Sequence, residues 1–247
     1  MAEKSTVFKN ISPQEIGKEL EEEKILFATQ GSELAKRQKY LHWLLEFFRS
    51  KGGWQFSGEE LKAFAREQGL RENQLNRFIQ KLVETGGLVK EGAYYHPTEF
   101  LLSIFALFYI LVRPAKLPKG TMLKVLLPAQ FCQLNNEAKF VLVTGTSLVA
   151  QNKAILSRLL EFLQAHGNRW NFNYQAFKDS LKSQDLDLPR AERFLAKLVE
   201  LGYWQETSNG ELRAAETFLG ILFIIYDTPY PPKKQVLAAA LNPFNWF

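Results

Sequence analysis

The chain has 247 residues, 46% of them hydrophobic and 13% aromatic, with 20 Phe and 5 Trp. That is enough apolar material for two cored domains, and it excludes an intrinsically disordered chain. The net charge of +5 permits a polyanionic partner without requiring one, and the single cysteine, Cys132, excludes a disulfide framework and a multi-cysteine zinc site.

The opening residues, MAEKSTVFKNISPQEIGKELEEEK, lack the apolar run of a signal peptide. Their acidic cluster, ELEEEK, reads as a solvated helix face and not as a metal site. Next comes KILFAT (24–29), a short apolar run with strand character. A long amphipathic helix is expected over 32–49, capped by Ser32, with Leu41, Leu44, Leu45 and Phe48 at helical spacing. A turn leads to a short strand, WQF (54–56), then a second helix over 58–68 and a third over 72–85. Leu75, Phe78, Ile79, Leu82 and Val83 share one face of the third helix. Gly86 suits its end, where a positive φ is needed. Two short strands in GLVKEGAYYH (87–96) and an apolar element over 98–112 complete the series. The apolar core FLLSIFALFYILV falls short of the roughly 20 residues that span a bilayer, so a buried element is expected and no membrane partner. The chain reads as soluble and intracellular, in a reducing cytoplasmic, nuclear or nucleoid setting.

The same series then recurs. KILFATQGSELAKRQKYLHWLLEF aligns without gaps on KFVLVTGTSLVAQNKAILSRLLEF, starting at Lys139; Lys24, Thr29, Ser32, Ala35, Leu41, Leu44, Leu45, Glu46 and Phe47 meet identical residues. RFIQKLVETGGLV (77–89) matches RFLAKLVELGYWQ (193–205). The period is about 115 residues. The second copy predicts a strand in KFVLVT, a helix over 147–165 capped by Ser147, a strand WNF and a helix over 174–183. A helix over 189–201 follows, with Pro189 in its first turn and Gly202 at its end, then a hairpin around SNG and an apolar element over 216–226. A short motif occurs three times around Pro13, Pro128 and Pro243, in FKNISPQEI, LKVLLPAQF and AAALNPFNW. It reads either as a joint that caps the modules or as an extended linker. The expected organisation is an arm over 1–16, one module over 17–130 and a second over 131–247. The expected fold class is helix-rich α+β, with two tandem modules related by internal duplication.

No catalytic pattern appears. His42, His96 and His166 fall on different elements, and HExxH, GxSxG and a phosphate-binding loop are all missing. VTGTS (143–147) reads as a helix N-cap. A non-enzymatic protein without cofactor or metal is the expectation.

Helix, short strand, helix, helix and hairpin is the order found in the winged-helix superfamily. RFIQKLVETGGLV resembles its third helix running into the wing, and the resemblance spans 32–97 and 147–215. It implies that the third helix enters the major groove of DNA while the wing touches the backbone. On the first third helix, Asn73, Gln74, Arg77, Gln80 and Lys81 lie away from the apolar face. Asn, Gln and Arg can pair bidentately with base edges, and Lys suits phosphate. The second copy offers Arg190, Arg193 and Lys197 but has Pro189 and Ala196 in place of amides. The competing reading is a solvated face whose cations reach Glu84 and Glu200 at helical spacing. Further basic residues lie in AKRQK (35–39), at Arg113, Lys116, Lys119 and Lys124, and in PPKK (231–234).

Duplex DNA binding, in a regulatory or replication-associated role, is the leading expectation; plasmid replication initiators also carry two winged-helix domains. The alternative is a scaffold subunit with a protein partner or a homo-oligomeric state. In that respect the chain is similar to tandem winged-helix proteins such as the kite subunits of SMC complexes and subunits of the endosomal-sorting coat. That alternative rests on the apolar elements FLLSIFALFYILV and FLGILFIIY, which must lie between layers, between modules or against a partner. It also rests on Phe244, Trp246 and Phe247 as aromatic anchors.

Overall fold

The structure, a computed structural model, describes residues 12–20, 22–111, 128, 131, 140, 143–182 and 187–226. It is helix-rich α+β with small antiparallel sheets. After a single 3-10 turn, Pro13–Glu15, the first half runs β1 (Ile16–Leu20), α1 (Glu22–Thr29), α2 (Glu33–Lys36), α3 (Gln38–Lys51), β2 (Phe56–Ser57), α4 (Gly58–Glu67), α5 (Glu72–Glu84), β3 (Leu88–Glu91), β4 (Tyr94–Pro97), α6 (Glu99–Phe108) and β5 (Tyr109–Leu111). The second half runs α7 (Leu148–Gln151), α8 (Lys153–Ala165), β6 (Asn171–Asn173), α9 (Tyr174–Lys182), α10 (Leu188–Glu200), β7 (Trp204–Glu206), β8 (Glu211–Ala214) and α11 (Glu216–Ile225).

From α2 to α6 and from α7 to α11 the element order is the same. Each half has a three-stranded antiparallel sheet whose last strand lies in the middle, β2-β4-β3 and β6-β8-β7. The caps are shared too: Ser32 Oγ accepts the Ala35 amide at 3.0 Å and Ser147 Oγ accepts that of Ala150 at 3.2 Å. VTGTS is therefore a helix start, as its sequence implied. Gly86 and Gly202 both have φ of 75° at the ends of α5 and α10, a conformation that a Cβ disfavours.

Three expectations are corrected. KILFAT is not a strand: it forms most of α1, with Glu22 and Glu23 in the first turn and Thr29 Oγ1 donating to Ile25 O at 2.6 Å. Short apolar runs carry too little periodicity to separate strand from helix, and the acidic first turn favours the helix. In the second copy, Val143 and Thr144 are likewise helical. The long helices over 32–49 and 147–165 are each broken after one turn, at Arg37 (φ −110°) and Asn152 (φ −111°). Asn152 lies in the break because its side chain serves two elements. Its Nδ2 donates to Leu148 O at 2.8 Å, and its Oδ1 accepts from Arg190. The apolar element over 98–112 is not one piece: α6 stops at Phe108, and β5 pairs antiparallel with β1.

The described residues of the first two proline motifs are docked, which favours joints over linkers. Pro13 and Pro128 are buried. Gln14 Nε2 donates to Arg49 O at 3.2 Å near the end of α3. Gln164 Nε2, in the matching place on α8, donates to Pro128 O at 3.1 Å. Phe131 packs edge-on against Trp170 and Phe223. The third motif, around Pro243, lies outside the described residues, as do Cys132, the basic residues over 113–124 and PPKK.

The two halves share one continuous core. At its centre α6 packs against α11. Gly220 permits that approach, since a Cβ there would stand 3.2 Å from Ser103 O and 3.3 Å from Leu107 Cγ. The apolar elements are thus covered inside the chain, and they do not call for an outside partner. Among the described residues no helix is long and apolar enough to cross a membrane. A second contact joins the turns before α2 and α7. The Thr146 amide and Oγ1 both donate to Gln30 O, at 2.9 and 3.2 Å, and Gly145 lies against the backbone of Gly31 and Ser32.

Candidate nucleic-acid interface

The two third helices bury equivalent residues. Leu75, Phe78, Ile79 and Leu82 hold α5 to its half; Ala191, Phe194, Leu195 and Leu198 hold α10. Their exposed faces differ in composition and in surroundings.

On α5, Asn73, Gln74, Arg77, Gln80 and Lys81 are all exposed. Lys81 Nζ stands 3.4 Å from Glu84 Oε2, and Gln80 Nε2 donates to Glu84 Oε1 at 3.2 Å. Arg77, which could have reached the same glutamate, makes no ion pair among the described residues. Gln74 Oε1 accepts a hydrogen bond from the Tyr40 hydroxyl. Tyr40 is itself held by ring contacts, 5.9 Å to Phe78 and 5.4 Å to Trp43, and Lys39 Nζ lies 4.5 Å above the Trp43 ring. The exposed guanidinium of Arg71 stands at the N-cap position of α5. Lys90 and the half-exposed ring of Tyr94 lie on the β3–β4 hairpin. The exposed face of α5 thus carries amides, a guanidinium and Lys81, with Glu84 bonded to both Lys81 and Gln80.

On α10 two of the corresponding groups, Arg190 and Lys197, are bonded within the chain. Arg190 Nε donates to Asn152 Oδ1 at 3.0 Å, and its Nη2 donates to Gln151 O. Lys197 Nζ is 2.6 Å from Glu200 Oε1; that hydrogen bond chiefly, with Glu23 as a minor charge, raises the lysine pKa. Arg193 is exposed and unpaired among the described residues, but Glu192 sits beside it, 3.3 Å from Lys178. In the hairpin next to α10, Glu206 stands at the place of Lys90, and the two hairpins carry Arg213 and Glu91 as further exposed charges.

Helix α1 adds a further difference. It packs both on α6 of the first half and on the second half. The Phe27 ring stacks on Phe194 at 5.7 Å and lies 5.6 Å from Tyr203, with Lys24 Nζ 5.8 Å over the tyrosine ring. In the first half the residue matching Tyr203 is Gly87. Acidic Glu23 lies close enough to α10 to act on Lys197.

The α5 residues named from the sequence are all exposed, and Tyr40 and Arg71, which the sequence did not single out, stand beside them. Arg71 directly precedes the helix and was legible as a flanking cation; no local pattern links Tyr40 to Gln74. Phe244, Trp246 and Phe247 lie outside the described residues. Among those residues no group of three His, Cys, Asp or Glu side chains could hold a metal ion. No family model matches the chain, and no curated protein or solved structure matches it either.

Proposed function

We propose that this chain is a non-enzymatic DNA-binding protein built from two tandem winged-helix modules, in which α5 of the first module reads duplex DNA. The supporting observation is the outward face of α5, where Arg77 stands without an ion pair among the described residues, between exposed amides and beside Lys81. Helix–strand–helix–helix–hairpin order puts this helix where winged-helix proteins place their reader. Lys39, Arg71 and Lys90 surround the face and suit phosphates. The regulatory or replication-associated role expected from the sequence fits a protein with one reader and no chemistry of its own. The second module serves mainly as the body against which the first is held.

The test is a titration of the full chain with duplex and single-stranded DNA at about 50 and about 200 mM salt. Duplex binding should be the tighter and should weaken steeply as salt rises. The double substitution Arg77→Glu and Lys81→Glu should lower duplex affinity by about a hundredfold or more, with the circular dichroism spectrum unchanged. Absence of duplex binding at the lower salt would overturn the proposal.

A further inference from the structure

Resting on the reading of α5 as the DNA-contacting helix, we infer that the recognised site contains a guanine met by Arg77. Beside it stands a base with an exposed keto oxygen, guanine or thymine, selected by Gln74 because Tyr40 orients its amide.

The argument starts from donors and acceptors. An unpaired, exposed guanidinium on a helix in the major groove is best satisfied by the O6 and N7 of guanine, which accept two parallel hydrogen bonds. Gln74 lies three residues before Arg77, about 4.5 Å along the helix axis and close to one base-pair step of about 3.4 Å. The two side chains therefore fall over neighbouring base pairs. A free glutamine amide favours adenine, since its oxygen accepts from N6 while its nitrogen donates to N7. Here the Tyr40 hydroxyl donates to Gln74 Oε1. That oxygen is turned back toward α3, and Nε2, with two N–H donors, is left to face outward. An outward pair of donors fits thymine O4 or guanine O6 and N7, and it meets the adenine amino group donor to donor.

Tyr40 is suited to the task because its position is fixed. Its ring packs against Phe78 and Trp43, so the hydroxyl is held beside the Gln74 amide, to which it donates. Tyr40 is thus a positioning residue, and Gln74 the group it aims. The second half has a tie at the same place on its third helix, Arg190 to Asn152, but there the helix offers a guanidinium and no amide. A keto preference should come from the first half alone.

The experiment is selection by the full chain from a duplex pool with a random core of about ten base pairs, followed by sequencing of the bound fraction. Wild type should enrich one guanine with guanine or thymine beside it. Tyr40→Phe frees Gln74 Oε1 and should admit adenine at the neighbouring position, raising its relative frequency about tenfold, while the guanine is retained. Gln74→Ala, at an exposed position where folding is not in question, should flatten the neighbouring position only. The inference is overturned if no guanine is enriched, if wild type favours adenine beside it, or if Gln74→Ala keeps the neighbouring preference. Binding without any sequence preference would overturn this inference and leave duplex binding standing; retention of no duplex at all would remove the reading on which it rests.

Discussion

Gln74 on α5 and Arg190 on α10 occupy the same place in the two halves, and each is tied to the helical segment that opens its half, one by the Tyr40 hydroxyl and the other by the Asn152 amide. Below them the buried residues correspond almost one for one. Above them the surroundings diverge: α5 carries exposed amides around Arg77, while α10 has α1 against it, Glu23 near Lys197 and a guanidinium, Arg190, bonded to Asn152 and Gln151. Two halves with the same element order thus share a pattern of burial and differ in surface. Burial constrains residue type strongly, because a cavity or an unpaired polar group costs several kcal/mol, whereas an exposed face is free to drift. The surface that stays open and basic is the one to test for binding.

The largest effect should come from removing the contact that makes the two surroundings unequal. Phe27→Ala deletes a buried ring between Phe194 and Tyr203 and should cost about 4 kcal/mol, seen as a fall in Tm of roughly 10 °C for a chain of this size. Leu26→Ala, one residue away but 61% exposed, should change stability by less than about 0.5 kcal/mol. Equal effects of the two substitutions would mean that α1 is not docked on the second half.

The next comparison is between the two faces themselves. Arg193→Glu with Lys197→Glu should lower duplex affinity less than about threefold, against the hundredfold loss expected for the same change at Arg77 and Lys81. Similar losses from both pairs, measured by the same titration, would show that α10 reads DNA as α5 does.

A smaller effect separates the two glycines of the turn contact. Gly145 has φ of 49°, and a Cβ there would meet Ser32 N at 2.5 Å and Gly31 C at 2.6 Å; Gly31 has φ of 74°, and its Cβ would meet Thr146 Oγ1 at 2.5 Å. Backbone cannot move aside as a threonine hydroxyl can. Gly145→Ala should therefore cost about 2 kcal/mol or more, and Gly31→Ala about 1 kcal/mol. Denaturant unfolding checks the order, and a reversal would contradict the contact.

The core and element order of each half were readable because they are local. Ser32 and Ser147 announce helix starts, Leu41, Leu44 and Leu45 keep helical spacing, and Gly86 and Gly202 mark the ends of the third helices. The contacts that distinguish the halves are not local. Nothing in KILFAT says that Phe27 will stack on Phe194, because the partner lies in the other copy. The same holds for Tyr40 and Gln74, which only the folded chain brings together. The break at Asn152 was hidden for a related reason: an asparagine is tolerated in a helix, and its role appears only when Arg190 arrives to bond it. The repeat thus predicted what the halves share; the residues that separate them act across the fold.

The smallest expected effects reverse each other and test the two ties directly. Asn152 is 5% exposed, and its Oδ1 is satisfied by Arg190. Arg190→Ala leaves that oxygen without its partner and should cost about 1 kcal/mol of stability, while duplex affinity stays within about twofold if α5 alone reads the duplex. Gln74→Ala removes an exposed side chain from a tyrosine hydroxyl that can turn to water, so stability should move by less than about 0.5 kcal/mol. The measurable change there is in DNA preference. If Arg190→Ala weakened binding while stability held, Arg190 would be a reader and the two halves would be alike in function after all.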